Sequence, residues 1–453
     1  MRVPKLEKML GMEVYATKSL GIGGKIRRYT DDFVVEEILI DGSRAEVSPE
    51  NAPLITGEGK YLVCLLVKRN WDNLLAVREI ARKLGVAYKD VHIAGIKDAK
   101  AVTAQHVSIK GATPEKAAKV KVNGLTLVPL RYQNFKISPY HLYGNKFTIT
   151  IRDISHSITE TKERIENILA EIQDLGGIPN FYGHQRFGTV RPITHLVGKE
   201  IVKGDFEKAV MTYLALPHEF EHEKARKARE RLMETYNFKE ALEEFPRHLK
   251  YEILMLKHLV KNPNDYIGAL RKLPLQLRRL FTQAYQSYLF NRFLSERIRR
   301  NISLKEPQTG DYIVYIDQKG LPTQYAAKVD ESNLGEMRKL AEEGRIRVAI
   351  PIVGYKQHFS DGIQGEIERK ILEKESVSPE DFYVKGMREA SAKGELRAAL
   401  TPLIDFTYEK PCRDSANPLK RMVKCSFTLQ RGSYATVFLR ELMKPRNLIE
   451  AGF

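Results

Sequence analysis

The spacing of apolar residues changes twice along the chain. From Ile26 to Ile40 apolar and polar residues alternate before the apolar ones run together, and Tyr61 to Lys68 is a leucine and β-branched run. Lys146 to Arg152 sets Phe147, Ile149 and Ile151 against Thr148 and Thr150. Alternation with a period of two suits strands with one buried face, and these runs predict strands of a single sheet. Between them, Leu74, Leu75, Val77, Ile80, Ala81 and Leu84 fall at helical spacing, with Gly85 placed as a C-cap. Thr113-Pro114-Glu115 predicts a second, short helix: the hydroxyl caps, proline suits the first turn and glutamate meets the dipole. A third runs from about Ile158 to about Leu175 and closes on Gly176-Gly177.

From His195 to Leu400 the pattern becomes one of long helices rich in Glu, Lys, Arg and Leu, including Glu221 to Thr235, Leu249 to Val260 and Leu275 to Arg300. Asp311 to Tyr315 and Val348 to Tyr355 are β-like, and Ser378-Pro379-Glu380-Asp381 reads as a helix start. Alternation then returns over Pro402 to Tyr408 and Lys424 to Leu429, ahead of a helix over Tyr434 to Met443. A chain of 453 residues exceeds the roughly 250–300 at which a single core stops growing, so two domains are expected. The sheet would be interrupted by an insert and completed by the C-terminus. That gives one discontinuous domain of 1–194 with 401–453, and an inserted, mostly helical α/β domain of 195–400. The fold class is mixed α/β (α+β).

Composition narrows the function. Lys plus Arg number 74 against 57 Asp plus Glu, a formal charge of +17. That excess favours a polyanionic partner, although solubility alone would also account for it. Cys64, Cys412 and Cys425 form no pairs at disulfide-framework or zinc spacing, which fits a reducing cytoplasm. No apolar run reaches the ~18 residues of a membrane span, and Met1 to Leu10 is too charged for a signal peptide.

Four clusters could carry chemistry. Asp98 lies in Gly95-Ile96-Lys97-Asp98-Ala99-Lys100, between the strand-like runs Val91 to Ala94 and His106 to Ile109. A turn acid flanked by Lys97 and Lys100 would be favoured in its ionised form, as a nucleophile or base requires. An aspartate that merely satisfies turn amides has the same spacing, and taken alone that is the commoner case. In Asn180-Phe181-Tyr182-Gly183-His184-Gln185-Arg186-Phe187-Gly188, rings alternate with amides and a cation, as reading an unstacked base demands. An aromatic-rich turn plugging a domain interface is the alternative. Gly432-Ser433-Tyr434-Ala435-Thr436 opens a helix, with Ser433 as the expected N-cap. Arg27-Arg28-Tyr29-Thr30-Asp31-Asp32-Phe33 leads cations, acids and an aromatic into a strand, where Phe33 by itself reads as core. His184 and His195 match no metal-ligand spacing, and no phosphate-loop or dinucleotide motif occurs, so neither a metal nor a cofactor is expected.

In their order along the chain these clusters resemble the TruD family of pseudouridine synthases. The matching segments are Asp32-Phe33-Val34-Val35, Gly95 to Thr103, Gly144-Asn145-Lys146-Phe147, Asn180 to Gly188 and Gly432 to Thr436, and the helical insert is similar to that family's TRUD domain. The resemblance implies a pseudouridine synthase catalytic domain and a uridine substrate in tRNA, uridine 13 in bacterial relatives, with further RNAs elsewhere. It implies Asp98 as the nucleophile, with Phe33, Asn180 and Tyr434 around the target base. Tyr182 stands where relatives usually carry Phe, and Arg27 near a position where they carry Lys. No cofactor, membrane or protein partner is implied.

The reaction such residues would serve breaks the N1–C1' bond of uridine, turns the uracil and joins C5 to C1', with no net change of composition. A carboxylate could attack C1' or remove the C2' proton to give a glycal; the sequence leaves both routes open. Two other function classes remain for comparison. An RNA-binding scaffold without catalysis would not need the acid, and a metal nuclease would need paired carboxylates converging on one point, which the adjacent Asp31 and Asp32 do not offer if they lie in a strand.

Overall fold

The computed structural model describes residues 2–48, 55–188 and 190–453. They form two compact units, Thr17–Ile178 with Thr401–Phe453, and Met1–Ala16 with Pro179–Leu400. The sequence places the division at 194/195, where the helices lengthen. The contacts place it at Pro179, because the aromatic turn after it bonds to Arg397, Ala398 and Ala399 at the far end of the insert. Met1–Ala16, counted with the sheet domain from sequence, joins the helical unit through Asn291 Nδ2, which donates to Leu10 O at 2.9 Å.

The first unit is built on a nine-stranded sheet. In chain order its first strands are β1 (Phe33–Leu39), β2 (Tyr61–Arg69), β3 (Val91–Ile93), β4 (Val102–Lys110), β5 (Leu125–Gln133) and β6 (Leu142–Ile154). The C-terminal segment adds Ile404–Tyr408, Cys412–Asp414 and Asn417–Gln430, the last antiparallel to β6. β4 is central, parallel to β1 and antiparallel to β2, while β3 pairs with its far end. Two registers place Val34 opposite Val102 and Lys68 opposite Thr103. They bring the start of β1 and the end of β2 to the start of β4, where the segment from β3 arrives.

One face of this sheet is covered by the helix Asn73–Leu84. Its Ala76, Val77, Ile80 and Leu84 pack on Leu62, Cys64 and Leu66 of β2 and Val107 and Ile109 of β4. Asp72 Oδ1 caps that helix by accepting from the Leu74 and Leu75 amides, and Gly85 ends it at φ +70°. The predicted helix over 158–175 is observed as Ile158–Leu175, capped by Ser157 and closed by Gly176. The short helix is observed as Pro114–Ala118, with Thr113 as its cap.

The second unit is mostly helical. Its long helix Leu275–Arg299 packs so closely on Thr194–Val202 that a Cβ on Gly198 would stand 2.0 Å from the Phe281 carbonyl oxygen. A four-stranded sheet runs in the order Glu395–Ala398, Ile346–Ile352, Tyr312–Ile316, Pro322–Lys328. Ser378-Pro379 opens only the 3-10 turn Pro379–Phe382: Asp381 caps it by accepting the Ser378 amide at 2.7 Å, but no apolar period comes after it to carry a helix on. Cys64, Cys412 and Cys425 are free, and burial pushes the thiols of Cys64 and Cys425 up to about 12. Among the described residues no helix is long and apolar enough to cross a membrane.

Candidate active site

Asp98 sits in the segment that turns from β3 into β4, and it is held from several sides. Arg27 donates from a guanidinium nitrogen to Asp98 Oδ1 at 3.0 Å. The Asp98 side chain retains 29% exposure, so the carboxylate is oriented but open to solvent. Among the described residues Oδ2 makes no bond, which leaves one carboxylate oxygen for chemistry. The Asp98 carbonyl is bonded by Lys68 Nζ. Lys97 beside it turns inward and pairs with Glu37 Oε1 at 2.7 Å, both groups being buried.

These contacts revise the electrostatics expected from sequence. Lys97 is spent on Glu37, and Lys100 is exposed without a bond to Asp98. The cations that flank Asp98 in space are Arg27 and Lys68, 71 and 30 residues away along the chain. Strand register brings them there, and neighbouring sequence does not reveal it.

Arg27 is itself tightly placed. Its other guanidinium nitrogen donates to Gly452 O at 3.0 Å, and its Cζ stands 3.9 Å from the Phe33 ring centroid. Its backbone lies in the left-handed region at φ +57°, a strained conformation for arginine. A side chain at position 452 would not fit, since a Cβ there would stand 2.1 Å from the Ile26 carbonyl oxygen. Phe33 is 1% exposed and meets Phe147 edge to face at 6.3 Å. It therefore acts as a floor under Arg27.

Asp31 and Asp32 lie in a 3-10 turn, not in the strand, and they separate: Asp31 forms a two-pronged pair with exposed Arg69, while buried Asp32 accepts from Arg152 Nε at 2.8 Å. No carboxylate pair for a metal arises there. Among the described residues no group of three or more His, Cys, Asp or Glu could hold a metal ion.

Tyr434 is part-buried and takes the N-cap position of the helix Ala435–Met443. Ser433, expected as the cap, is not: the helix begins two residues later, and the Ser433 hydroxyl pairs with Thr401 Oγ1 at 2.8 Å.

Asn180 and Tyr182 belong to the other unit, where Arg397 joins them. Arg397 donates to Asn180 O at 2.9 Å and to Asn180 Oδ1 at 2.6 Å, and its Cζ lies 4.2 Å from the Tyr182 ring centroid. The Asn180 amide nitrogen donates to Ala398 O at 3.0 Å. An amide has two N–H donors and two lone pairs on oxygen, so among the described residues one of each is unused. Tyr182 is anchored through its main chain to Asn291 and meets Phe290 edge to face at 5.6 Å. Phe181 and Phe187 are fully buried, and Tyr182 and His184 are buried as well, so all four rings of the cluster pack in the core. Arg397 was not foreseen. Its only sequence signal is a cation on a short β run just after Gly394.

Comparison with known proteins gives one answer throughout. A family described as tRNA pseudouridine synthase D (TruD) matches residues 9–442. A Methanosarcina barkeri protein named probable tRNA pseudouridine synthase D is 39% identical over 445 residues, 98% of this chain and 98% of its own length. A Methanopyrus kandleri protein of the same name is 41% identical over 396 residues, covering 87% and 88%. The crystal structure of a Methanosarcina mazei chain assigned to tRNA pseudouridine synthase D superposes with a TM-score of 0.83 at 39% identity, covering 98% of this chain and 99% of that one.

Proposed function

The chain belongs to the tRNA pseudouridine synthase D (TruD) family, which makes it an isomerase, and on that premise we propose that it converts a uridine of tRNA, uridine 13, to pseudouridine with Asp98 as the nucleophile. The observation that carries this reading is a half-satisfied carboxylate: Arg27 holds Oδ1 of Asp98 while Oδ2 stays unengaged and part-exposed. A carboxylate serving only as a turn cap would accept from neighbouring amides, as Asp72 does.

Oδ2 attacks C1' of the ribose, the N1–C1' bond breaks and uracil leaves C1' with the bonding pair on N1. The uracil turns, its C5 attacks C1' and releases the carboxylate, C5 loses its proton and N1 gains one. Nothing is oxidised or reduced, and composition is unchanged. Arg27 fixes the carboxylate before attack, so its orientation need not be found during the reaction. The uridine leaves its stack at a cost of a few kcal/mol. Tyr434 offers a ring to stack on, at about 1–3 kcal/mol per base, and Asn180 and Tyr182 keep the base contacts that family resemblance gives them. Thr17–Ile178 with Thr401–Phe453 is the catalytic domain in this reading, and the helical unit is the inserted domain. The basic surface holds RNA phosphates, and the protein works in the cytoplasm with its substrate.

Incubation with unmodified tRNA transcripts, then chemical mapping of pseudouridine, tests the whole reading. One new pseudouridine at position 13 is expected; transcripts that stay unmodified overturn it. For the aromatic cluster, Tyr182→Ala is expected to lower turnover about tenfold or more, in line with the loss of one stacking partner, while bulk tRNA binding stays within a few-fold. An unchanged rate assigns Tyr182 to packing alone.

A further inference from the structure

Lys68 is a lysine in a row of apolar residues. On β2 it comes after Leu62, Cys64 and Leu66, which pack beneath the helix Asn73–Leu84, and like them it is shielded from solvent. Thr103 and Gln105, its neighbours on the same face of β4, and Asn73 at the start of the helix are buried with it. A sheet shaped for stability alone would carry apolar side chains here, since a buried ammonium is costly unless its N–H groups find acceptors.

The acceptors it finds are main-chain carbonyls of two different turns. Nζ donates to Trp71 O at 2.9 Å, in the turn that leads from β2 into the helix, and to Asp98 O, in the turn that carries the carboxylate. Lys68 therefore ties the segment bearing Asp98 to the end of β2. Its charge is not consumed by a carboxylate contact. The groups that face it are Asp98 and Asp72, which attract it, and Lys97, which repels it; its pairing neighbours Thr103 on β4 and Leu125 on β5 are uncharged.

Resting on the reading of Asp98 as nucleophile, we propose that Lys68 is a positioning residue for the reaction: its ammonium fixes the main chain at Asp98, and with it the place of the carboxylate, without touching the substrate. This carries a pH dependence. Burial pushes the Lys68 ammonium down to about 8, against the pull of Asp98 and Asp72. The clamp is charged at neutral pH and loses its charge as pH rises through that value. A neutral amine still donates, but more weakly, and no longer offsets the carboxylate.

The test is the rate of pseudouridine formation at saturating tRNA transcript, from about pH 6 to about pH 10, for wild type, Lys68→Met and Lys68→Arg. Wild type is expected to reach a plateau and then decline above pH 8 in kcat, with KM steady. Lys68→Met is expected to lose about a hundredfold or more in kcat, keep tRNA affinity within a few-fold and show no decline near pH 8. In Lys68→Arg the guanidinium stays charged across the range, so part of the rate is kept and the decline is absent. A Lys68→Met rate within about threefold of wild type overturns the proposal. So does a decline shared by wild type and Lys68→Arg, which would belong to the N–H of uracil. A wild-type profile that is flat to pH 10 overturns it even where neither variant folds. Wild type that forms no pseudouridine at any pH is a separate result, and it removes the reading of Asp98 itself.

Discussion

Asp98→Asn is expected to abolish pseudouridine formation, by roughly four orders of magnitude or more if Asp98 is the nucleophile as proposed, while tRNA affinity stays within a few-fold of wild type. The substitution isolates the chemistry because the amide fills the same space. Its oxygen can still accept from Arg27, and the main-chain carbonyl still meets Lys68. Arg27 keeps Gly452 O and the Phe33 ring, so it does not lose its place. Asp98 is 29% exposed but Arg27 only 12%, so removing the negative charge costs roughly 1–3 kcal/mol, less than for a fully buried pair. An amide nitrogen now stands where Oδ2 stood, and it cannot attack C1'. Single-turnover conversion of a tRNA transcript, with a binding titration alongside, checks both halves. Activity retained in a clean preparation sinks the assignment of Asp98.

What sequence made legible depends on how local the cause was. The helix Ile158–Leu175 was readable closely because its apolar period and the glycine that closes it are local to the segment. β5 was missed: Leu125 and Leu127 alternate, but Val128 to Tyr132 are only half-buried and Pro129 breaks the pattern. Asp98 could be found from its own segment and its family resemblance, whereas Lys68 could not. Lys68 reads as the polar end of a β run, and only the pairing of Lys68 with Thr103 shows that its ammonium faces the turn after β3. Arg397 was hidden in the same way, 217 residues from the asparagine it holds. The expectation that Lys97 serves Asp98 failed because adjacency in sequence says nothing about direction, and Lys97 points inward to Glu37.

That inward pair carries the largest expected effect on stability. β1 pairs with β4 only over Val102–Ala104, and β3 takes up the pairing at Val107, so the His106 amide falls in the gap. The Glu37 carboxylate fills it, accepting from His106 N at 2.9 Å, with Lys97 Nζ 2.7 Å from its other oxygen. Glu37→Gln can still accept the amide but leaves the Lys97 ammonium buried without a countercharge, which costs about 3–5 kcal/mol. Lys97→Met strands the carboxylate at a similar cost. Their combination removes both charges, and its destabilisation is expected to be well below the sum of the two, as chemical denaturation of the full chain will report.

The pH dependence has a definite sign. Burial alone would raise the Glu37 carboxyl, but His106 and Lys97 outweigh it and hold it below 4.5. A depressed carboxyl contributes stability that is complete above its unfolded value and fades as pH falls through the lower folded one. Wild type and Glu37→Gln should therefore differ fully at neutral pH and converge as the solution is acidified below 4.5. A gap that persists unchanged into acid would mean that the charge of Glu37 is not what secures the turn carrying Asp98.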